Sequence, residues 1–378
     1  MRMIARTDDS AFGRWWWSVD RPLLAVLAPI IIIGAAALTA AGPAAADRLR
    51  IANDFHFPLR QAMFLGPAVA VLIGVSFLTP LQARRAGVLL FAGAMTMLAC
   101  TLLFAGEVNG AKRWLDLQVM TVQPSEFAKP GFVIAAAWMM AEGARDKTFP
   151  GGLISMALYL VFSGMLLLQP DVGQWILVTG VWALMFFIAG WSWTWIATLG
   201  GFGMFALGGA YMASDHVARR IDGFLNPETA ETYQVDRALE TIANGGIIGR
   251  GDNAAVKGYL PDAHTDFIFA AASEDFGLIL GLVIIALFAT FVVRALIIAS
   301  RQKSVFSQIA VSGLAAMIGF QAIINIGVNL RALPAKGMTL PFISYGGSSL
   351  LATGIAVGLL IALTRTHGIA RRRKELMP

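Results

Sequence analysis

The chain has 378 residues, of which 57% are hydrophobic and 14% charged, and it carries a net charge of +6. A mean hydropathy of +0.69 excludes the soluble globular class and implies a polytopic α-helical membrane protein, because lipid-facing backbone groups must be satisfied within each segment. The single cysteine, Cys100, excludes an intrachain disulfide, and the four scattered histidines lack the paired spacing of a zinc site.

The N-terminal segment 1–20 carries Arg2, Arg6 and Arg14 and the triplet Trp15-Trp16-Trp17, which suits an interfacial anchor. About ten transmembrane helices follow, near 23–42, 60–79, 86–105, 126–142, 152–168, 172–189, 193–213, 267–293, 305–330 and 346–364. An even number of spans puts both termini on one side. The short loops on that side hold Arg84, Arg85, Arg145, Lys147, Arg301 and Lys303, and the tail 366–378 holds Arg371, Arg372, Arg373 and Lys374. That basic excess marks the side as cytoplasmic. The positive charge therefore belongs to anchoring on acidic lipid, and no nucleic-acid partner is expected. The fold class is all-α: one membrane domain over 1–378, with one large outer loop at 214–265.

Within that loop, Val235, Leu239 and Ile242 fall at helical spacing before Asn244 and Gly245. They predict a short amphipathic helix lying on the membrane, with Arg237, Arg250 and Lys257 near the headgroups. A solvated connector is the plainer alternative. The stretch "NGGIIGRGD" lacks a P-loop ending and dinucleotide spacing, so it reads as a tight turn that brings backbone close to something. Gly277 and Gly281 form a small-xxx-small pair, which predicts close helix packing.

Acid is concentrated in "YLPDAHTDFIFAAASEDFG", where the outer loop becomes an apolar run. Asp266 follows Thr265, and either could cap the coming helix. Capping accounts for one carboxylate but not for His264, Glu274 and Asp275 as well. Ionisable groups at membrane depth cost about 2.5–3.5 kcal/mol each and mark function by default. Cations occupy the other outer loops: Lys112, Arg113, Lys129, Arg331 and Lys336. Lys129 stands three residues after Glu126, the spacing of a local ion pair. Lys336 has no adjacent acid and is flanked by Pro334, Gly337 and Pro341, so a rigid loop aims a lone cation. A carboxylate base opposite several cations suits transfer from a phosphate leaving group.

Five ordered blocks, "GAKRWLDL…QPSEFAK", "LQPDVG", "YQVDRALETIANGGIIGRG", "LPDAHTDFIFAAASEDFG" and "KGMTLPFISYGGSS", resemble the SEDS family of bacterial cell-wall polymerases. The resemblance extends from Asp20 to about Arg365, and the stretch 336–340 is more similar to the division branch than to the elongation branch. It implies a peptidoglycan glycosyltransferase that joins lipid II units at the outer face of the inner membrane, at the division septum. Undecaprenyl diphosphate would leave, and a class B penicillin-binding transpeptidase and other division proteins would be partners. Asp266 matches the family's essential aspartate and would be the base. Arg113, Trp114, Glu126, Lys129, His264, Lys336 and Ser344 fall in the matched blocks and would bind substrate. Asp252, Asn253 and Asp275 depart from the family pattern.

The sequence assigns no cofactor; a divalent cation such as magnesium or manganese, shared with a substrate phosphate, stays open. Two rival functions are a transporter of lipid-linked precursors and a scaffold for division enzymes. The absence of a visible inverted repeat and the one-sided polar blocks weigh against the transporter.

Overall fold

The computed structural model describes residues 8, 10–106, 112–116, 121–191, 193–213, 218, 222, 233–334 and 337–365. Lys336 and most of 214–232 lie outside these described residues.

The chain enters through a short helix, α1 (Ala11–Ser18), whose Ser10 side chain accepts from Gly13 N at 2.9 Å. Its Trp15 Nε1 donates to Ser76 Oγ at 2.8 Å, and Arg21 stacks on Trp16 and Trp17, so the tryptophan triplet is partly a docking device. Helices α2 (Arg21–Arg48), α3 (His56–Ser76) and α4 (Pro80–Phe104) follow. Asp20 caps α2 by accepting from Leu23 N, and Thr79 and Gln82 close a capping box on α4. A two-residue hairpin, β1 (Leu115–Asp116) paired antiparallel with β2 (Thr121–Val122), leads into α5 (Pro124–Arg145). Next come α6 (Gly151–Leu168), α7 (Val172–Ile188) and α8 (Trp193–Ala213). The loop 214–265 contributes α9 (Tyr233–Gly245), and α10 (Ile268–Ser300), α11 (Val305–Asn329) and α12 (Gly347–Thr364) follow.

Each of the ten apolar windows falls on one of these helices to within a few residues. Among the described residues, seven helices are long and apolar enough to cross a membrane, and α7 is a shorter apolar one. Helices α11 and α12 are buried over 83% of their apolar windows and form the centre, whereas α3, at 22%, turns most of its surface outward. That burial explains why α11 can carry amides: they meet protein, not lipid.

Helix α10 is two helices joined at Gly277, whose φ of 81° is left-handed backbone that favours glycine. Up to Asp275 it is buried, while beyond it Phe276, Leu278, Ile279 and Leu282 are exposed along one side. From Gly277 to Ser300 the helix measures roughly 36 Å at about 1.5 Å per residue, enough for a hydrocarbon core of about 30 Å.

The tight turn after α9 packs into this kink. Leu278 N donates to Gly246 O at 2.9 Å, Ile279 N to Ile247 O at 3.3 Å and Arg250 N to Glu274 O at 2.8 Å. A Cβ on Gly277 would collide with Ile247 O and Gly249 N, and one on Gly249 with Asp275 O. The expected close approach at "NGGIIGRG" is thus an approach to α10. Gly277 does not pack helix on helix as the small-residue spacing suggested; it opens a helix to admit a turn.

The helix expected in this loop is present, and protein covers its buried side. Helix α9 buries Val235, Ala238, Thr241 and Gly245, and its Gly245 lies against the backbone at Ser273 and Glu274 of α10. Its apolar face is therefore covered by protein. The basic residues meant for headgroups have internal partners. Lys257 Nζ donates to Asp275 Oδ1 and to Ala40 O, Arg237 pairs with Glu240, and Arg250 Nε donates to Asn244 O.

Candidate active site

The site begins at the N-terminal end of α5. Pro124 starts the helix with fixed φ, and Glu126 lies in its first turn, where the helix N–H groups favour negative charge. One turn on, Lys129 Nζ sits 2.8 Å from Glu126 Oε1, and the two residues are only 3% and 4% exposed. So dry a pair needs further partners. Gln174 Nε2 of α7 donates to the same Glu126 oxygen at 2.7 Å, and Lys129 Nζ reaches Gln321 Oε1 of α11 at 3.4 Å.

Arg113 serves the neighbouring turn. Its Nε donates to Gln169 O at 3.1 Å and its Nη2 to Pro170 O at 2.6 Å, with Asp171 Oδ2 at 3.9 Å. Asp171 is the N-cap of α7. The arginine therefore clamps the "LQPDVG" turn that carries Gln174. Trp114 beside it is exposed.

Asp266 lies on the turn before α10, half-buried. Neither it nor Thr265 caps that helix: the N-cap position is Phe267, which makes no side-chain cap. The carboxylate faces loop 337–340 instead, and a Cβ on Gly337 would lie 2.8 Å from Asp266 Oδ2. The backbone of that loop is fixed from α11. Gln321 Nε2 donates to Thr339 O at 3.0 Å, and Asn325 Nδ2 donates to Met338 O at 2.6 Å and to Asp266 O at 2.8 Å. Asn329 Nδ2 also reaches Asp266 O, at 3.0 Å.

Gln321, Asn325 and Asn329 recur every four residues, so they line one face of α11. They join the Lys129 pair, loop 337–340 and the Asp266 turn. Sequence reading missed all three, and Gln174 too. The available signal was polarity inside an apolar span, which it applied to charges but not to amides.

Two expected substrate-binding residues serve the scaffold in this structure. The Ser344 hydroxyl is buried, donates to Thr265 O at 2.6 Å and accepts from Leu340 N at 2.7 Å. It brackets the loop to the Asp266 turn. The His264 ring packs 4.1 Å from Phe57 and 5.7 Å from Tyr345, centroid to centroid. Burial pushes its pKa below the ordinary value, against a smaller opposing pull from Asp262, so the imidazole is neutral at pH 7.

Glu274 and Asp275 do not join Asp266. Glu274 accepts from Asn244 Nδ2 at 2.5 Å, Val256 N at 2.9 Å and Lys257 N at 2.7 Å. With the Lys257–Asp275 pair they staple the outer loop to the kink of α10. Arg331 is likewise used locally, at 2.9 Å from Asp236. The acid-rich stretch thus divides into a site residue, Asp266, and a fastening for the loop. Among the described residues no group of three or more carboxylates, histidines or cysteines is placed to hold a metal ion.

Set beside known proteins, residues 21–368 match the FtsW/RodA/SpoVE family of cell cycle proteins. The chain is 44% identical over 363 residues to the "Probable peptidoglycan glycosyltransferase FtsW" of Caulobacter vibrioides, covering 96% of this chain and 93% of that one. It is 32% identical to the stage V sporulation protein E of Bacillus subtilis, covering 92% and 97%. The crystal structure of the rod shape determining protein RodA of Thermus thermophilus superposes with a TM-score of 0.69 at 28% identity, covering 92% and 97%. A chain of a peptidoglycan synthase complex that coordinates polymerization and crosslinking superposes with a TM-score of 0.76 at 27% identity, with the same coverage.

Proposed function

The chain belongs to the FtsW/RodA/SpoVE family of cell cycle proteins, and from that premise we propose that it is a peptidoglycan glycosyltransferase polymerising lipid II at the outer face of the inner membrane. It is a multi-pass protein of that membrane, and its place at the division septum is part of the proposal.

One observation carries the catalytic reading. The Asp266 carboxylate projects over Gly337 of loop 337–340, and that loop is tied through Gln321 to the buried Lys129–Glu126 pair. In the proposed reaction Asp266 takes the proton of the acceptor sugar hydroxyl. The oxygen attacks the anomeric carbon of the donor, and the bond to undecaprenyl diphosphate breaks. Lys336, next in sequence to Gly337, would offset negative charge growing on the leaving diphosphate. Arg113 and the Lys129 pair hold the outer ends of α5, α6 and α7 in place around that centre. Any divalent cation would be shared with the diphosphate of the substrate.

A class B penicillin-binding transpeptidase is the proposed partner. Support comes from the solved relative in a synthase complex that couples polymerization with crosslinking. Other division proteins belong to the same proposal.

The test is lipid II polymerisation by the purified protein with its partner transpeptidase, wild type against Asp266→Asn. Glycan strands from wild type and none from a folded, partner-bound variant are expected. A variant as active as wild type removes Asp266 from the chemistry. Lipid II crossing bilayers without polymerisation by either protein replaces the enzyme with a transporter.

A further inference from the structure

An Asp or Thr just ahead of a helix ordinarily turns its side chain back onto the first free N–H groups. Before α10 this does not happen, and the reason lies on another helix. Asn329, the last residue of α11, presents Oδ1 to Ala270 N at 3.1 Å, in the first turn of α10. It does from outside what an N-cap does from within.

The donor side of the same amide has a second use. Asn329 Nδ2 donates to Asp266 O at 3.0 Å and to Asn325 O at 2.9 Å. Asn325 Nδ2 donates to Asp266 O at 2.8 Å and to Met338 O at 2.6 Å. Two buried amides thus converge on one carbonyl oxygen. Fixing that carbonyl restrains the planar peptide unit after Asp266, and so narrows the backbone conformations from which its side chain can project.

We propose that Asn325 and Asn329 are positioning residues for the reaction: they cap α10 in trans and clamp the Asp266 carbonyl, which keeps the Asp266 carboxylate off its own helix and over Gly337. The inference rests on the reading of Asp266 as the base. The apolar surroundings of both amides strengthen the arrangement, because no water competes for these contacts.

The experiment compares Asn325→Ala, Asn329→Ala and Asn329→Asp with Asp266→Asn in the full-length protein bound to its partner transpeptidase. Rates are taken per folded molecule, alongside thermal unfolding and hydrogen exchange over 266–272. Asn329→Asp keeps the acceptor for Ala270 N and loses both donors. Its melting temperature is expected to lie above that of Asn329→Ala, while kcat stays 10- to 100-fold below wild type. In all three asparagine variants KM for lipid II is expected within twofold of wild type, with faster exchange over 266–272 in Asn329→Ala. Recovery of kcat together with stability in Asn329→Asp would reduce the amide to a structural cap and overturn the proposal. Wild-type kcat in Asn325→Ala would do the same. An active Asp266→Asn is a different failure: it overturns the base reading on which the proposal stands.

Discussion

The Asp266 carboxylate and the α-carbon of Gly337 face each other so closely that a methyl group on Gly337 would stand 2.8 Å from Asp266 Oδ2. Gly337→Ala must therefore displace the carboxylate or the loop. A misplacement of about 1 Å can cost on the order of 100-fold in rate. The expected result is at least a tenfold fall in polymerisation with little change in melting temperature, measured by strand synthesis and thermal unfolding on the same preparation.

The Lys129–Glu126 pair is buried with Gln174 and Gln321 as its further partners. Removing one charge leaves the other uncompensated, at a cost of about 3–5 kcal/mol. Lys129→Met and Glu126→Gln should each destabilise strongly, and the double variant should be more stable than the sum of the two losses predicts. Denaturation of all four proteins in one detergent gives the coupling energy; simple additivity would show that the pair does not act as a unit.

His264 gives the protein an acid-sensitive element. Its folded pKa lies below the ordinary value of 6.5 because burial disfavours the charged ring. Above that ordinary value both folded and unfolded chains hold it neutral, and its packing contribution is complete. As pH falls from about 6.5 towards the lowered folded pKa, the unfolded chain binds a proton that the folded one refuses, so stability drops. The melting temperature should fall between pH 7 and pH 5.5, and His264→Phe should fall less over the same interval. Equal slopes for the two proteins would remove His264 as the source.

The loop fastening is tested at Gly277 and Glu274. Gly277→Ala puts a side chain at φ 81° and against Ile247 O, so strain and collision add. Glu274→Ala leaves the N–H groups of Val256 and Lys257 without their acceptor. Both variants should expose the segment 244–260 to added protease while the membrane-embedded core survives. Proteolysis at wild-type rate would mean that the loop is held by α9 alone.

The relation of sequence to structure differs from one element to the next. The ten apolar windows were legible because crossing lipid demands long apolar runs, a local property of composition. The helix 233–245 was legible from its period, and the turn 244–252 from its glycines. The five ordered blocks were enough to place the chain in its family, which the comparisons then showed.

What the sequence left undetermined was partner choice, because partners lie far apart in the chain. Asp266 and Glu274 are eight residues apart and looked like one acidic patch, yet one faces loop 337–340 and the other binds Val256 and Lys257. The sequence places Ser344 in a matched block but does not reveal that its hydroxyl bridges Thr265 O and Leu340 N. The amides of α11 carried no expectation, since nothing local to 321–329 reveals that Asp266 and Met338 stand opposite. By itself the sequence determined which segments form long apolar helices and which residues carry charge, since these follow from side-chain chemistry and short-range backbone rules. Which carboxylate faces loop 337–340, and which is consumed in fastening a loop, only the packing of α5, α10, α11 and loop 337–340 decided. Hydrogen-bond partners in a dry interior are fixed by three-dimensional proximity, and proximity across dozens of residues is not a local property of the chain.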